Sequence, residues 1–402
     1  VGLEGLRVGA RALCETLAGD VASGRYRLAP LWQGEVKRDG KLRTIHRPEL
    51  LDAIVLGAVA ARLTGLLEGT LSDSVHAYRP GRSSQRVLAR FRERLAQHRQ
   101  EVAQTRRALF VLQRDVAAYG ESIPTHPGSR LWPLLDEVLL RIEDARERQL
   151  LRGLVEQGSR PTVRTADGRE RVMQTGLPTG SPIQQPLENL YLMPLDAELD
   201  SLEAFYARFG DDLFVATTDL GTAAAAAERL SAVTARLALR FNAHKSKDLY
   251  FTKPGRPFVG RAPLPLSATS HVEYLGARID FDGRLGFTRK RLRQFLERSR
   301  RRMQNSIRLH TSTEARTLLA KSLEQALAEQ SSVEDPAREA LCTWIDDRAQ
   351  LRQLDRALLL SAAEILSGKR GVRAFRHTAP RDLRAAGLTS LLELRRRTRS
   401  SR

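Results

Sequence analysis

A chain of 402 residues, 42% hydrophobic and 28% charged, has the balance of a folded globular protein with room for two or three domains, which excludes a disordered or low-complexity chain. Its 66 Lys and Arg outweigh 47 Asp and Glu, for a formal charge of +19, so a polyanion, nucleic acid first, is the expected partner. Two distant cysteines, Cys14 and Cys342, exclude a disulfide framework and a cysteine zinc site. The N-terminus carries no signal-like pattern and the most apolar run, "AIVLGAVAARL", is too short to span a bilayer. The expectation is therefore a soluble cytoplasmic protein with no membrane partner.

In chain order, residues 1 to about 30 have helical patterning, and "LWQGEVKRDGKLRTIHRP" alternates about the turn "RDG" as a basic hairpin. A helix is expected from about Pro48 to Leu67, and another opens at the Ser pair after "YRPGR". "RALFVLQRD" is a buried strand ending on Asp115. Helical sequence surrounds Leu131 to Gln157, and a short hairpin at "TADGRERV" follows. "GLPTGSPIQQPLENLYLMPLD" starts as a Gly/Pro loop and turns helical near Gln184. "RFGDDLFVATTD" then forms a tight hairpin, followed by an Ala-rich helix, "LRFNAHKSKDLYF" and the hairpin "VEYLGARIDFDGRLGFT". From Arg289 onward the chain is helical and basic, opening with "RKRLRQFLERSRRRM".

Asp211 and Asp212 lie side by side inside an apolar run. Two carboxylates there repel and lose hydration, at several kcal/mol per ion in a low-dielectric site. A solvated turn would relieve this, and so would a divalent cation, for which hard oxygen ligands are suited. Asp115, at the end of another apolar strand, supplies a third carboxylate; taken alone it could equally be a loop or helix-capping residue. Three carboxylates near a basic surface meet the minimal requirement for two-metal phosphoryl transfer.

Taken in order, "YRPGRSS", "RDVAAYGESI", "GLPTGSPIQQPLENLYLMPLD", "RFGDDLFV", "LRFNAHKSK" and "EYLG" resemble the successive motifs of reverse transcriptases, in particular the bacterial group II intron, retron and phage-defence branch. The resemblance covers about residues 35 to 290. It implies an α+β right-hand polymerase with an antiparallel palm sheet, fingers and a helical basic thumb. The implied division is 1–110 for the N-terminal part and fingers, 111–288 for the palm with inserted fingers segments, carrying the catalytic motifs and the primer-grip hairpin, and 289–402 for the helical thumb and C-terminal part. It further implies RNA-directed DNA polymerase chemistry with two Mg²⁺ ions, for which Mn²⁺ could substitute. RNA template, primer and nucleoside triphosphates are the implied partners, with a dedicated structured RNA in some members of this branch.

Residue by residue, Asp115, Asp211 and Asp212 resemble the metal ligands, and Lys245 the lysine beside the leaving pyrophosphate. Lys41 and Arg43 resemble fingers residues that hold the triphosphate, and Thr179 and Gly180 fall in the nucleotide loop. Arg79 and Arg82 resemble template or phosphate contacts. Tyr274, Leu275 and Gly276 look like the primer grip, Gly276 admitting a close backbone, and Arg289, Lys290 and Arg293 open a helix that would track the nucleic-acid backbone.

Three positions depart from the family pattern. Thr179 stands where Gln is usual. Glu188 has no role that the motif explains. Gly120, with Tyr119 just before it, stands where an aromatic ring usually blocks a ribonucleotide 2′-hydroxyl, so the sugar gate is expected to be open unless Tyr119 or Phe209 narrows it. Two other readings accompany the first: an RNA polymerase or untemplated nucleotidyltransferase on the same fold, and an inactive RNA-binding scaffold.

Overall fold

Buried Leu, Val and Phe alternate poorly but run without interruption through "LFVLQRD", the composition of a strand covered on both faces. In the computed structural model of this protein, which describes residues 3–38, 41–101, 108–307, 314–315, 317–322, 345–388 and 390–400, that segment is a central strand. In chain order the elements begin with α1 (Leu3–Ala22), β1 (Leu31–Arg38), β2 (Lys41–Arg47), α2 (Leu50–Glu68), α3 (Ser84–Glu101) and β3 (Leu109–Asp115). Helices α4 (Tyr119–Ser122), α5 (Leu131–Leu139) and α6 (Ala145–Ser159) lead to strands β4 (Thr162–Arg164) and β5 (Glu170–Val172). Then come α7 (Gln184–Tyr191), α8 (Met193–Asp200), β6 (Phe205–Phe209), β7 (Asp212–Thr217) and α9 (Leu220–Arg236). Strands β8 (Lys247–Phe251), β9 (Ser267–Thr269), β10 (His271–Tyr274), β11 (Ala277–Asp280) and β12 (Leu285–Phe287) follow. Helices α10 (Arg289–Ile307) and α11 (Arg348–Ser367), a 3-10 helix (Gly371–Arg376), and helices α12 (Pro380–Ala385) and α13 (Leu391–Ser400) come after them.

The chain divides into two compact units, one of residues 1–79, 110–248 and 262–265, the other of residues 80–109, 249–261 and 266–402. These boundaries differ from the three-part division expected at 110 and 288. The reason is where apolar surface is buried. Leu56 and Leu63 of α2 share a core with Leu112 of β3 and Leu213 of β7, so the segments expected as fingers and palm close on one another. Phe287 of the β10–β12 meander instead packs with Phe295, Leu351 and Leu358 of the helical C-terminal part.

In the first unit, β6, β7 and β3 form an antiparallel sheet in that order, and β2, β1, β4 and β5 form a second sheet. The 19-residue helix α2 is apolar enough and long enough to cross a membrane by those criteria alone. It packs on α5, α6 and α7, and its Asp52 accepts hydrogen bonds from Tyr26 Oη (2.7 Å) and the Ala29 N–H (3.0 Å). Those contacts are those of a core helix.

Below the sheet, the guanidinium of Arg208 is fully buried and meets the Asp196 carboxylate at 2.6 and 2.8 Å. Tyr206 Oη donates to the same carboxylate at 2.7 Å, and Asn189 Oδ1 accepts from Arg208 at 3.0 Å. A buried pair survives desolvation only with such added hydrogen bonds, and loss of one partner leaves an uncompensated charge. Arg208→Met should therefore lower stability by about 3–5 kcal/mol, whereas Arg208→Met/Asp196→Leu should recover most of the loss; urea unfolding midpoints of the three proteins check this.

In the second unit, β10–β12 form an antiparallel meander that continues into the basic helix α10. Arg289, Lys290 and Arg293 are exposed on its first turns.

Candidate active site

Register places the carboxylates. Phe209 pairs with Asp212 across the β6–β7 turn, leaving Gly210 and Asp211 as its two central residues. Gly210 takes φ +67°, which a two-residue hairpin turn needs and glycine supplies without strain. In the neighbouring ladder Asp212 lies directly opposite Asp115, and the Val116 N–H donates to the Asp211 carbonyl at 3.2 Å. Residues directly opposite on antiparallel strands present their side chains to the same face. Ligand oxygens of Asp115, Asp211 and Asp212 accordingly lie within 4.8 Å of one another.

The price is electrostatic. Asp115 is buried, and Asp211 and Asp212 are partly so. Burial first, then the Asp115 charge, raises the Asp211 pKa above the ordinary carboxylate range. Burial and the Asp211 and Asp115 charges push Asp212 up to about 7. Such a cluster of hard oxygen donors with mutually opposed charges fits divalent metal ions, which would supply Lewis-acid activation of a hydroxyl and stabilisation of phosphate charge.

Lys245 reaches the same cluster because its segment is pinned beside β3. The Ala117 N–H donates to the Arg240 carbonyl and the Asn242 N–H to the Asp115 carbonyl, both at 2.8 Å. The ammonium lies 2.5 Å from Asp115 Oδ2, and this hydrogen bond raises its pKa. Lys245 thus holds Asp115 here, in addition to the phosphate role the motif implies.

The β1–β2 hairpin is tied to the nucleotide loop: the His46 N–H donates to the Thr179 carbonyl at 2.7 Å, and a Cβ at Gly180 would lie 3.1 Å from the His46 carbonyl oxygen. Exposed Arg43 contributes positive charge that is felt at Asp211. Lys41 occupies the first position of β2.

Four expectations need correction. Arg79 is buried and bonds Glu68 at 2.8 Å and the Ser72 and Val75 carbonyls, so it fastens its own loop and is not presented to a phosphate. Arg82, half-buried, stands on the loop leading to α3. Tyr119 is buried with its hydroxyl donating to the Glu188 carbonyl, and therefore does not narrow a gate. The room beside Gly120 is not open: a Cβ there would lie 2.6 Å from Glu188 Oε1 and 3.0 Å from Gln184 Nε2. Gly276 and Leu275 both take positive φ in a two-residue turn, with Tyr274 buried before it. A Cβ at Gly276 would meet Arg291 at 2.8 Å, and Arg291 donates to the Leu275 carbonyl. That close neighbour is a protein side chain.

Sequence reasoning missed Arg208, whose guanidinium also donates to the Gly210 carbonyl at 3.2 Å and so supports the double-aspartate turn from below. A lone arginine between Ala207 and Phe209 in an apolar strand was the available clue. It also missed the partnership of Glu188 with Gln184, whose amide donates to Glu188 Oε1 at 2.8 Å. Burial raises the Glu188 pKa to about 7, with the Asp211 charge adding to the rise.

A family model described as "Reverse transcriptase (RNA-dependent DNA polymerase)" matches residues 36–279. Among curated proteins no sequence matches. Solved structures of Candida tropicalis telomerase are similar in fold. The apo enzyme is 11% identical with a TM-score of 0.52 over 96% of this chain and 66% of that one. The complex with a TWJ fragment of telomeric RNA is 12% identical with a TM-score of 0.52 over 96% and 63%. The chain thus spans about two thirds of the length of these telomerase chains.

Because folding raises both Asp pKa values, the ionised forms oppose folding: the penalty grows as pH climbs above about 4, is full above about 7, and disappears in acid. Asp212→Asn should therefore be more stable than the unsubstituted protein at pH 8 without divalent metal, by on the order of 1 kcal/mol, and the difference should vanish near pH 4. Thermal melts across pH with chelator present check the sign. Added Mg²⁺ should raise the melting temperature of the unsubstituted protein at pH 8 more than at pH 6, and that of Asp212→Asn little.

Proposed function

This chain belongs to the reverse transcriptase (RNA-dependent DNA polymerase) family, and from that membership we propose that it extends a nucleic-acid primer along an RNA template with deoxynucleoside triphosphates. The observation that carries the reading is the convergence of Asp115, Asp211 and Asp212 at the ends of paired strands, their oxygens within 4.8 Å. An inactive scaffold gains nothing from a cluster whose own charges oppose folding.

In this reading the three carboxylates hold the two Mg²⁺ ions, with Mn²⁺ as a substitute. Lys245 moves between Asp115 and the departing phosphate charge. Lys41 and Arg43 on the β1–β2 hairpin, with the Thr179–Gly180 loop, hold the triphosphate. Arg82 and the exposed Arg289, Lys290 and Arg293 take the template and primer, consistent with a formal charge of +19.

The order and spelling of the motifs support a finer placement in the bacterial group II intron, retron and phage-defence branch. A cytoplasmic enzyme serving phage defence or a retroelement, with a dedicated structured RNA, follows from that placement. Sequencing RNA that co-purifies with the protein tests it: one enriched structured species is expected, and random cellular RNA would contradict it.

Primer extension on an RNA template should proceed from deoxynucleotides with Mg²⁺ and stop with chelator, and Asp211→Asn should lower the rate about a hundredfold or more. Synthesis that persists in the variant would refute the assignment of the site. Arg289→Gln/Lys290→Gln/Arg293→Gln should flatten the dependence of log affinity on log salt by about 2–3 units for a duplex template-primer, read from binding isotherms at several salt concentrations.

A further inference from the structure

Glu188 is a buried carboxyl in a helix start where the motif gives it no task. Its surroundings are built, not incidental. The Gly180 N–H donates to Gln184 Oε1 at 3.1 Å, and Gln184 Nε2 donates to Glu188 Oε1 at 2.8 Å. Tyr119 Oη donates to the Glu188 carbonyl from below. The pair is therefore anchored to the nucleotide loop at one end and to the core at the other. Its outer atoms fill the space that a side chain at position 120 would take, so glycine is required at 120 for the pair to lie where it does.

Chemistry says which part of a substrate meets this pair. A reacting α-phosphorus must sit against the metal-binding carboxylates, and the sugar hangs from it by a single O5′–C5′ link. Groups flanking the carboxylates therefore line the sugar. Glu188 is such a group: its Oε1 lies 2.6 Å from where a Cβ would stand at Gly120, in the segment that leaves β3 directly after Asp115.

We infer that Glu188 and Gln184 together are the sugar-discriminating element of this enzyme, a polar barrier that occupies the place of a ring at position 120 and excludes the ribose 2′-hydroxyl. The inference rests on the polymerase reading above. An entering hydroxyl would have to part Gln184 from Glu188 and break the bond to Gly180, leaving polar groups without partners in a confined space. Exclusion then depends on the occupied volume and on the amide bond holding it, and the carboxylate charge is dispensable.

The test is the ratio of kcat/KM for a deoxynucleotide to that for the matching ribonucleotide, on one RNA template and primer with Mg²⁺. Glu188→Ala and Gln184→Ala should each lower the ratio about tenfold or more, through greater ribonucleotide use. Glu188→Gln, which keeps the volume and can still bond Gln184, should stay near the unsubstituted ratio. An unchanged ratio in both alanine variants overturns the inference. A fall in ribonucleotide use also overturns it, because Glu188 would then recognise the hydroxyl. Gln184 is only half-buried, so its variant decides the matter should Glu188→Ala fail to fold. If the unsubstituted protein makes no product from either pool, the polymerase reading is what has failed. The barrier is then judged by calorimetric titration with dATP and ATP in Mg²⁺: Gln184→Ala should tighten ATP relative to dATP, and an unaltered ratio of Kd values overturns it.

Discussion

Three carboxylates confined within 4.8 Å of one another cannot all be ionised at low cost, and much of the first unit is arranged around that constraint. The ladder sets Asp115 against Asp212, and the glycine-led turn sets Asp211 beside them. Positive charge is then placed on two sides. Lys245 approaches Asp115 from the segment pinned along β3, while Arg208 lies beneath the turn and is itself neutralised by Asp196. Arg208 does more as a scaffold than as a counter-charge, since its bond to the Gly210 carbonyl fixes the turn whose next residue is Asp211. The cluster is thus kept poised at a free-energy cost, a condition that a divalent cation reverses.

That the aspartates converge was legible because each is embedded in local pattern. An uninterrupted apolar run announces β3, and a glycine between two apolar runs announces the β6–β7 turn. The helical start near Gln184, after a Gly/Pro loop, and the hairpin of β1 and β2, about its RDG turn, were equally readable. Arg79 was not legible. In "YRPGR" it has the appearance of a phosphate-binding residue, yet its partner Glu68 lies in a different element, and only the folded loop reveals that the charge is consumed internally. Tyr119 and Gly276 fail for the same reason: the Glu188 carbonyl and Arg291, which occupy them, are named by tertiary packing and by no spacing rule.

Helix α2 shows the converse limit. Its apolar composition is evident from sequence, but composition alone is shared by a membrane span and a core helix. The distinction comes from one polar residue. Asp52, near its start, is buried and satisfied by Tyr26 and the Ala29 backbone, so that end of the helix is fitted to donors that this protein supplies. The division into units follows similar logic, because burial of α2 against α5, α6 and α7 joins segments that motif order separates into fingers and palm.

Gly120 carries the last step. A glycine at a position expected to hold a ring suggests vacant space only if neighbouring side chains are assumed to be those of a typical relative. Here the volume has been exchanged across facing elements: the side chain is missing from α4 and a longer one, Glu188, arrives from α7. Close packing makes such exchanges the rule, since an unfilled pocket of side-chain size forfeits contacts on every wall. A substitution at one motif position therefore acquires meaning only with its packing partner. The partner here is also bonded, through Gln184, to Gly180, whose loop is held by the β1–β2 hairpin at His46. The β1–β2 hairpin, the Thr179–Gly180 loop and the residues beside Gly120 thus form one hydrogen-bonded chain, from His46 through Thr179, Gly180 and Gln184 to Glu188.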